Sequence, residues 1–254
     1  MVHGNRKTWH RYSKFHIKRL KSSPRYGILF TSTMNGWLLT IVGKGLYMLE
    51  RIYNPEDLKR LNISELPALA DEVRAVLIEK LSHTGGHVGS NLGVVKLTVA
   101  LHYVCSSAYD KIVWDVSHQS YAHKILTGRK DAFTDPQKYR SVTGFTNIHE
   151  SPHDLFTIGH TSTSISLALG LAKARDAMGG KENVVAIIGD GALGGGEALE
   201  GLNYLGEYRN NLILILNDND QSVAENHGGL YQPRSAPFGL QSPTRHRADG
   251  SRKT

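Results

Sequence analysis

The chain holds a single cysteine, Cys105, among its 254 residues. No internal disulfide can brace it, no Cys/His cluster has zinc-ligand spacing, and a reducing compartment is the expectation. Long apolar runs are missing as well. The best candidate, GWLLTIVGKGLYML, is broken by Lys44 and three glycines, short of the roughly 20 apolar residues that span a bilayer, so no membrane span is expected. Acidic residues are absent from residues 1–47, which carry nine Lys/Arg. Residues 48–232 reverse this with 22 acids against 16 bases, and residues 233–254 return to five bases and one acid. The net charge of +7 thus comes from two ends flanking an acidic centre. That distribution argues against a nucleic-acid surface.

The ends read as foreign to the middle. Residues 1–47 are expected to be disordered or outside the native product. Helix-like organisation begins at MLERIYNPEDLKRL, and Gly43-Lys44-Gly45 must be encoded by a purine-rich run just before the Met48 codon, where a bacterial ribosome-binding site would lie. Met48 is then the native start; the alternative for this acid-free segment is an organellar transit peptide. Residues 233–254, rich in Pro, Ser and Arg without hydrophobic periodicity, read as a disordered basic tail.

What is present in residues 48–232 is an alternation of helix and strand patterns. Asn54 before Pro55, Glu56 and Asp57 is a helix start. Ser64 opens another helix, with Leu66, Leu69, Ala70, Val73, Leu77 and Leu81 on one face. A glycine-rich loop, TGGHVGSNLG (84–93), precedes a buried helix, VVKLTVALHYVC. Strands follow at 111–115, 184–189 and 212–217, with helices at 162–178 and 194–207. This order predicts an α/β fold, a parallel sheet with helices on both faces. Ligands then gather at the carboxyl ends of the strands, which selects VSHQSYAHK, GDGA and NDND.

Gly189, Gly191 and Gly194 satisfy the dinucleotide pattern G-x-G-x-x-G. Asp190 contradicts that reading, because a carboxylate beside two phosphates is repelled unless a cation intervenes. Mg²⁺ resolves the conflict by taking carboxylate, amide and carbonyl oxygens while bridging to phosphates. The oxygens of Asn217, Asp218, Asn219 and Asp220 crowd at the next strand end, and the helix near Gly194 directs its N-terminus at the diphosphate.

Gly-Asp-Gly followed one helix and strand later by Asn-Asp-Asn resembles the thiamin diphosphate fingerprint. SHTGGHVGSNLGVVKLTVALHYV, DKIVWDVSHQSYAHKILTGR, DLFTIGHTSTSISLALGLA, VVAIIGDGA and LILILNDNDQSVAENHGGL resemble, in order, the N-terminal domain of the 1-deoxy-D-xylulose-5-phosphate synthase family, relatives of transketolase. The resemblance implies the thiamin diphosphate-binding fold. It implies a transferase that joins pyruvate, with loss of CO₂, to D-glyceraldehyde 3-phosphate for isoprenoid, thiamin and pyridoxal precursors. Carried onto matching positions, Asp190, the Asn219 side chain and the Gln221 carbonyl bind Mg²⁺, and Gly191 and Ala192 contact the diphosphate. His118, Gly159, His160 and Thr161 line the cofactor, and His87 faces the substrate as a proton donor or acceptor, a task suited to histidine. His123 remains a weak candidate; His83, His102, His149 and His153 read as packed or surface residues.

The chain departs from the family pattern at Ser117, where glycine is commoner, at Ala122, where proline is, and in ALGGGEALEG. The family continues into a pyrimidine-binding domain, so the resemblance implies a homodimeric enzyme whose cofactor site is completed in cis or in trans. Alternatives are one subunit of a split transketolase and a non-catalytic remnant. A bacterial cytoplasmic location is implied, or a plastid one if residues 1–47 are a transit peptide.

Overall fold

A computed structural model of the chain describes residues 27–33, 36–42, 48–208 and 211–218. The chain separates into two units, Met1–Leu46 and Tyr47–Thr254. In the first, β1 (Gly27–Thr33) and β2 (Gly36–Val42) pair antiparallel, from Gly27 opposite Val42 to Thr33 opposite Gly36. Part of the piece expected to be disordered therefore forms a hairpin, consistent with its Ile, Val and Thr content. Residues 233–254 lie outside the described residues.

The second unit opens as its capping residues dictate. The Asn54 side chain accepts from the backbone N–H of Glu56 and Asp57 at 2.9 and 3.1 Å, while the Asp57 carboxylate accepts from Asn54 N–H at 3.2 Å. This reciprocal cap starts α1 (Pro55–Lys59). The next helix, α2 (Leu66–Thr84), begins two residues later than Ser64 suggested. Asn62 and Glu65 close a 3₁₀ turn over Ile63–Glu65 first, through a 2.7 Å bond from Asn62 N–H to the Glu65 carboxylate. Leu69, Ala70, Val73, Leu77 and Leu81 are buried along one stripe, as the spacing predicts. Gly85, at φ +68°, releases the chain from α2 in a left-handed conformation.

The loop expected over 84–93 is only three residues long, because α3 (Val88–Val104) starts at Val88. Gly89 and Gly93 sit inside the helix; packing of Val95 and Val99 against the α2 core overrides their low helix propensity. Then come β3 (Lys111–Trp114), α4 (Tyr121–Lys124), a π-type turn at Ile125–Arg129, α5 (Asp131–Thr134), α6 (Ser164–Ala177), β4 (Val184–Gly189), α7 (Asp190–Leu193), α8 (Gly196–Glu207) and β5 (Ile213–Asn217).

Strands β3, β4 and β5 form a parallel sheet in that order. Successive residues face opposite sides. Val113, Val184 and Ala186 pack with Ala168 and Ala172 of α6, and Ile188 packs with Ile165 and Leu169 of the same helix. Ile112, Trp114, Val185 and Ile187 face Leu97 and Leu101 of α3. The α/β fold with helices on both faces is thus present. Each fully buried Val or Ile contributes about 1.5–3 kcal/mol, so β4 is the anchor on which the strand ends are set.

Candidate functional site at the strand ends

Because the three strands are parallel, their carboxyl ends share one rim, and each runs straight into an aspartate: Asp115, Asp190 and Asp218. Asp115 is fully buried and serves the fold. Its two oxygens accept from the N–H groups of Ser162 and Ser164 at 2.8 and 2.9 Å. It therefore caps the start of α6 and fixes the GHTSTS segment to β3.

Ser162, at φ +72°, extends that lock by donating its hydroxyl to the Ala192 carbonyl at 2.8 Å. A Cβ on Gly195 would lie 2.0 Å from the Ser162 oxygen, so the segment and the turn after β4 meet at a contact only glycine allows. Gly159, His160 and Thr161 stand exposed just before this lock.

Asp190 follows β4 directly and is 6% exposed. The helix expected from Gly194 differs: α7 takes Asp190–Leu193 as one turn, and α8 starts at Gly196. The first helical residues facing the rim are therefore Asp190, Gly191 and Ala192 themselves, with Gly191 exposed. Register places Gly189 opposite Asn217, so the chain leaves β5 beside the strand end that carries Asp190. Asn219 and Gln221 lie outside the described residues. Among the described residues no three His, Cys, Asp or Glu side chains converge as a metal cluster.

The two histidines with expected catalytic roles come together. His87 is the last residue before α3 and is exposed; His118 is half-buried in the turn after β3. Their ring centroids are 5.2 Å apart, edge to face. Phe145 packs on His87 at 5.6 Å. Burial, and then the neighbouring His87, make His118 harder to protonate than an ordinary histidine, with Asp115 opposing. His118 Nδ1 is buried and has no hydrogen-bond partner among the described residues.

Ser117 answers the departure from glycine. It sits at φ +66°, beside Val116 at φ +56°, a costly pair of left-handed residues. Its buried hydroxyl donates to the Ile158 carbonyl and accepts from Thr146 N–H, both at 2.9 Å, and these bonds hold the turn.

A second polar cluster is largely buried within the same unit. Lys124, without exposed side-chain surface, donates to Glu150 at 2.5 Å and to the Thr143 carbonyl at 2.9 Å. Arg129 grips Asp154 with two bonds, 2.7 and 2.8 Å. His123 reaches Asp154 through Nε2 at 3.0 Å and His102 through Nδ1 at 2.9 Å. Burial pushes His123 down to about 4, and burial together with His123 holds His102 well below the ordinary histidine value. Burial alone would raise Asp154, but bonds from His123 and Arg129 hold it well below the usual carboxylate range. His123 thus belongs to this cluster rather than to the rim.

Sequence reasoning missed Asp115, Ser162 and Asn91, the last a buried amide between the two histidine turns, and noted Ser117 only as a departure from glycine without its role. The signal available for Asp115 was its place at the end of an apolar strand; Ser162 and Asn91 had none.

A family model described as 1-deoxy-D-xylulose-5-phosphate synthase matches residues 49–241. The chain belongs to this family. Synthases of that name from Caldanaerobacter subterraneus subsp. tengcongensis, Brevibacillus brevis and Syntrophotalea carbinolica are similar at 55%, 53% and 54% identity over 183, 184 and 183 residues. Each match covers 72% of this chain and 29% of the relative, so the chain spans less than a third of the length of these synthases. All the rim residues fall inside the span matched by the synthase family model.

Proposed function

We propose that residues 48–232 are the diphosphate-binding domain of a 1-deoxy-D-xylulose-5-phosphate synthase, a cytoplasmic transferase acting on pyruvate and D-glyceraldehyde 3-phosphate. The observation that carries this reading is the strand-end rim, where Asp190 and the backbone of Gly191 and Ala192 stand beside the exit of β5. That donor set fits Mg²⁺ held with a diphosphate: one carboxylate at a strand end, with Asn219 and Gln221 following the neighbouring strand in sequence. The buried, unpartnered His118 Nδ1 fits a polar ligand at the same rim.

When bound, thiamin diphosphate supplies the electron sink for decarboxylation and carbon–carbon bond formation. The chain's own share is orientation and proton handling. His118, Gly159, His160 and Thr161 line the cofactor. His87, exposed beside His118, holds or accepts a proton at its imidazole, a role that requires reach to substrate from the rim. The aminopyrimidine half falls to another domain, in the same chain or in a partner, within a homodimer.

Calorimetric titration of thiamin diphosphate tests the reading. Binding is expected with Mg²⁺ and not with EDTA, and unphosphorylated thiamin should fail to bind. Equal affinity with and without Mg²⁺ would overturn the metal-diphosphate assignment. Formation of deoxyxylulose phosphate from the two substrates, once the family's remaining domains are supplied, tests the reaction itself.

A further inference from the structure

We infer that Asn91 is a positioning residue that holds His87 and His118 as one facing pair. Asn91 lies one helical turn inside α3 and is fully buried. Its side-chain amide donates to two carbonyls, those of His87 at 2.7 Å and His118 at 2.8 Å. Its oxygen accepts from Tyr121 N–H at 2.9 Å. Both N–H groups of one carboxamide are thus spent on the two histidines expected to act, which come from turns 31 positions apart in the chain.

The chemistry of asparagine suits this use. A carboxamide offers two donors and one acceptor in a rigid plane, whereas aspartate has no donor and serine only one. With both main chains tied to one planar group, the rings meet at 5.2 Å, close enough that a proton on one disfavours a proton on the other. The groups facing the pair are few: Asp115 on the His118 side, Tyr121 and Phe145 against His87. The tether therefore fixes how strongly each ring feels a charge on the other. Its use in catalysis rests on the function proposed above; the pairing itself does not.

A double-mutant cycle read by NMR of the imidazole signals tests the tether without activity or cofactor. In the unaltered background, His87→Asn should move the His118 titration midpoint up toward the ordinary histidine value, and an inter-ring NOE should be present. In Asn91→Ala, the NOE should vanish and His87→Asn should leave the His118 midpoint unmoved. Asn91→Ser, which keeps one donor, replaces Asn91→Ala if that variant does not fold, and should retain part of the coupling. Equal shifts of His118 in both backgrounds, or an intact NOE in the Asn91 variants, would overturn the inference. Failure of thiamin diphosphate binding with the coupling intact would count against the proposed function alone.

Discussion

Two polar regions sit within one small domain and are built on opposite terms. In the buried cluster of Lys124, Arg129, Glu150, Asp154, His123 and His102, each carboxylate is paired with a cation or imidazole inside the protein, and Arg129 Nε and His102 Nδ1 are the cluster's atoms without a hydrogen-bond partner among the described residues. Along the strand-end rim, by contrast, His87, Gly159, His160, Thr161 and Gly191 face outward and His118 Nδ1 has no partner among the described residues. Charge and polarity alone do not mark a functional site. A cluster whose charges are paired inside the protein stabilises a fold, and polar groups left exposed at the ends of parallel strands are prepared for something else.

Removing one member of the buried cluster gives the largest expected effect. Asp154→Ala leaves Arg129 and His123 without their shared acceptor and should cost about 3–5 kcal/mol in urea unfolding. A loss near zero would show that the cluster does not stabilise the fold. Acid comes next. An unfolded His123 takes up a proton near 6.5, while the folded one resists until about 4, so the unfolded state binds more protons across that window. Stability is therefore fully present above about pH 6.5 and falls as the pH drops toward 4, by about 3 kcal/mol for this histidine. Asp154, held low in the fold, adds its own loss once the pH falls into the usual carboxylate range, where its unfolded form takes up a proton. Thermal melts across that range check the slope, and a flat profile would show that the pair is not held neutral.

A smaller effect distinguishes the scaffold of the rim from its open groups. Gly195→Ala forces its new methyl against Ser162 and should cost about 1–3 kcal/mol. Ser162→Gly should restore much of that, because it removes the clashing side chain and suits the φ of +72°. Hydrogen exchange at Ser164 N–H, bonded to Asp115, reports whether the GHTSTS segment loosens. No rescue would mean that the contact does not set the segment.

The fold was legible where pattern and burial agree. The continuous apolar run of β4 and the stripe of α2 follow from side-chain pattern, and Asn54 announced its helix by its own chemistry. Ends and turns were less legible. α3 starts at Val88 despite two glycines, since tertiary packing outweighs propensity, and α7 inserts one turn where a loop was expected. The rim residues were legible through Asp190, whose charge is at odds with a dinucleotide turn, and through the family resemblance. Asn91, Asp115 and Ser117 were not, because their roles depend on partners distant in sequence. Asn219 and Gln221 stay expectations carried from the matching pattern.

The contrast between the buried cluster and the strand-end rim is tested most directly by measuring stability and Mg²⁺-dependent thiamin diphosphate affinity together in Asp190→Asn and Asp154→Asn. Asp190→Asn should weaken binding at least as much as the roughly 10–100-fold lost with an outer-shell partner, out of proportion to any loss of stability. Asp154→Asn should lose stability yet bind within a few-fold of the unaltered chain at a temperature where it remains folded. Unchanged affinity in Asp190→Asn, or equal losses of both properties in the two variants, would contradict the account.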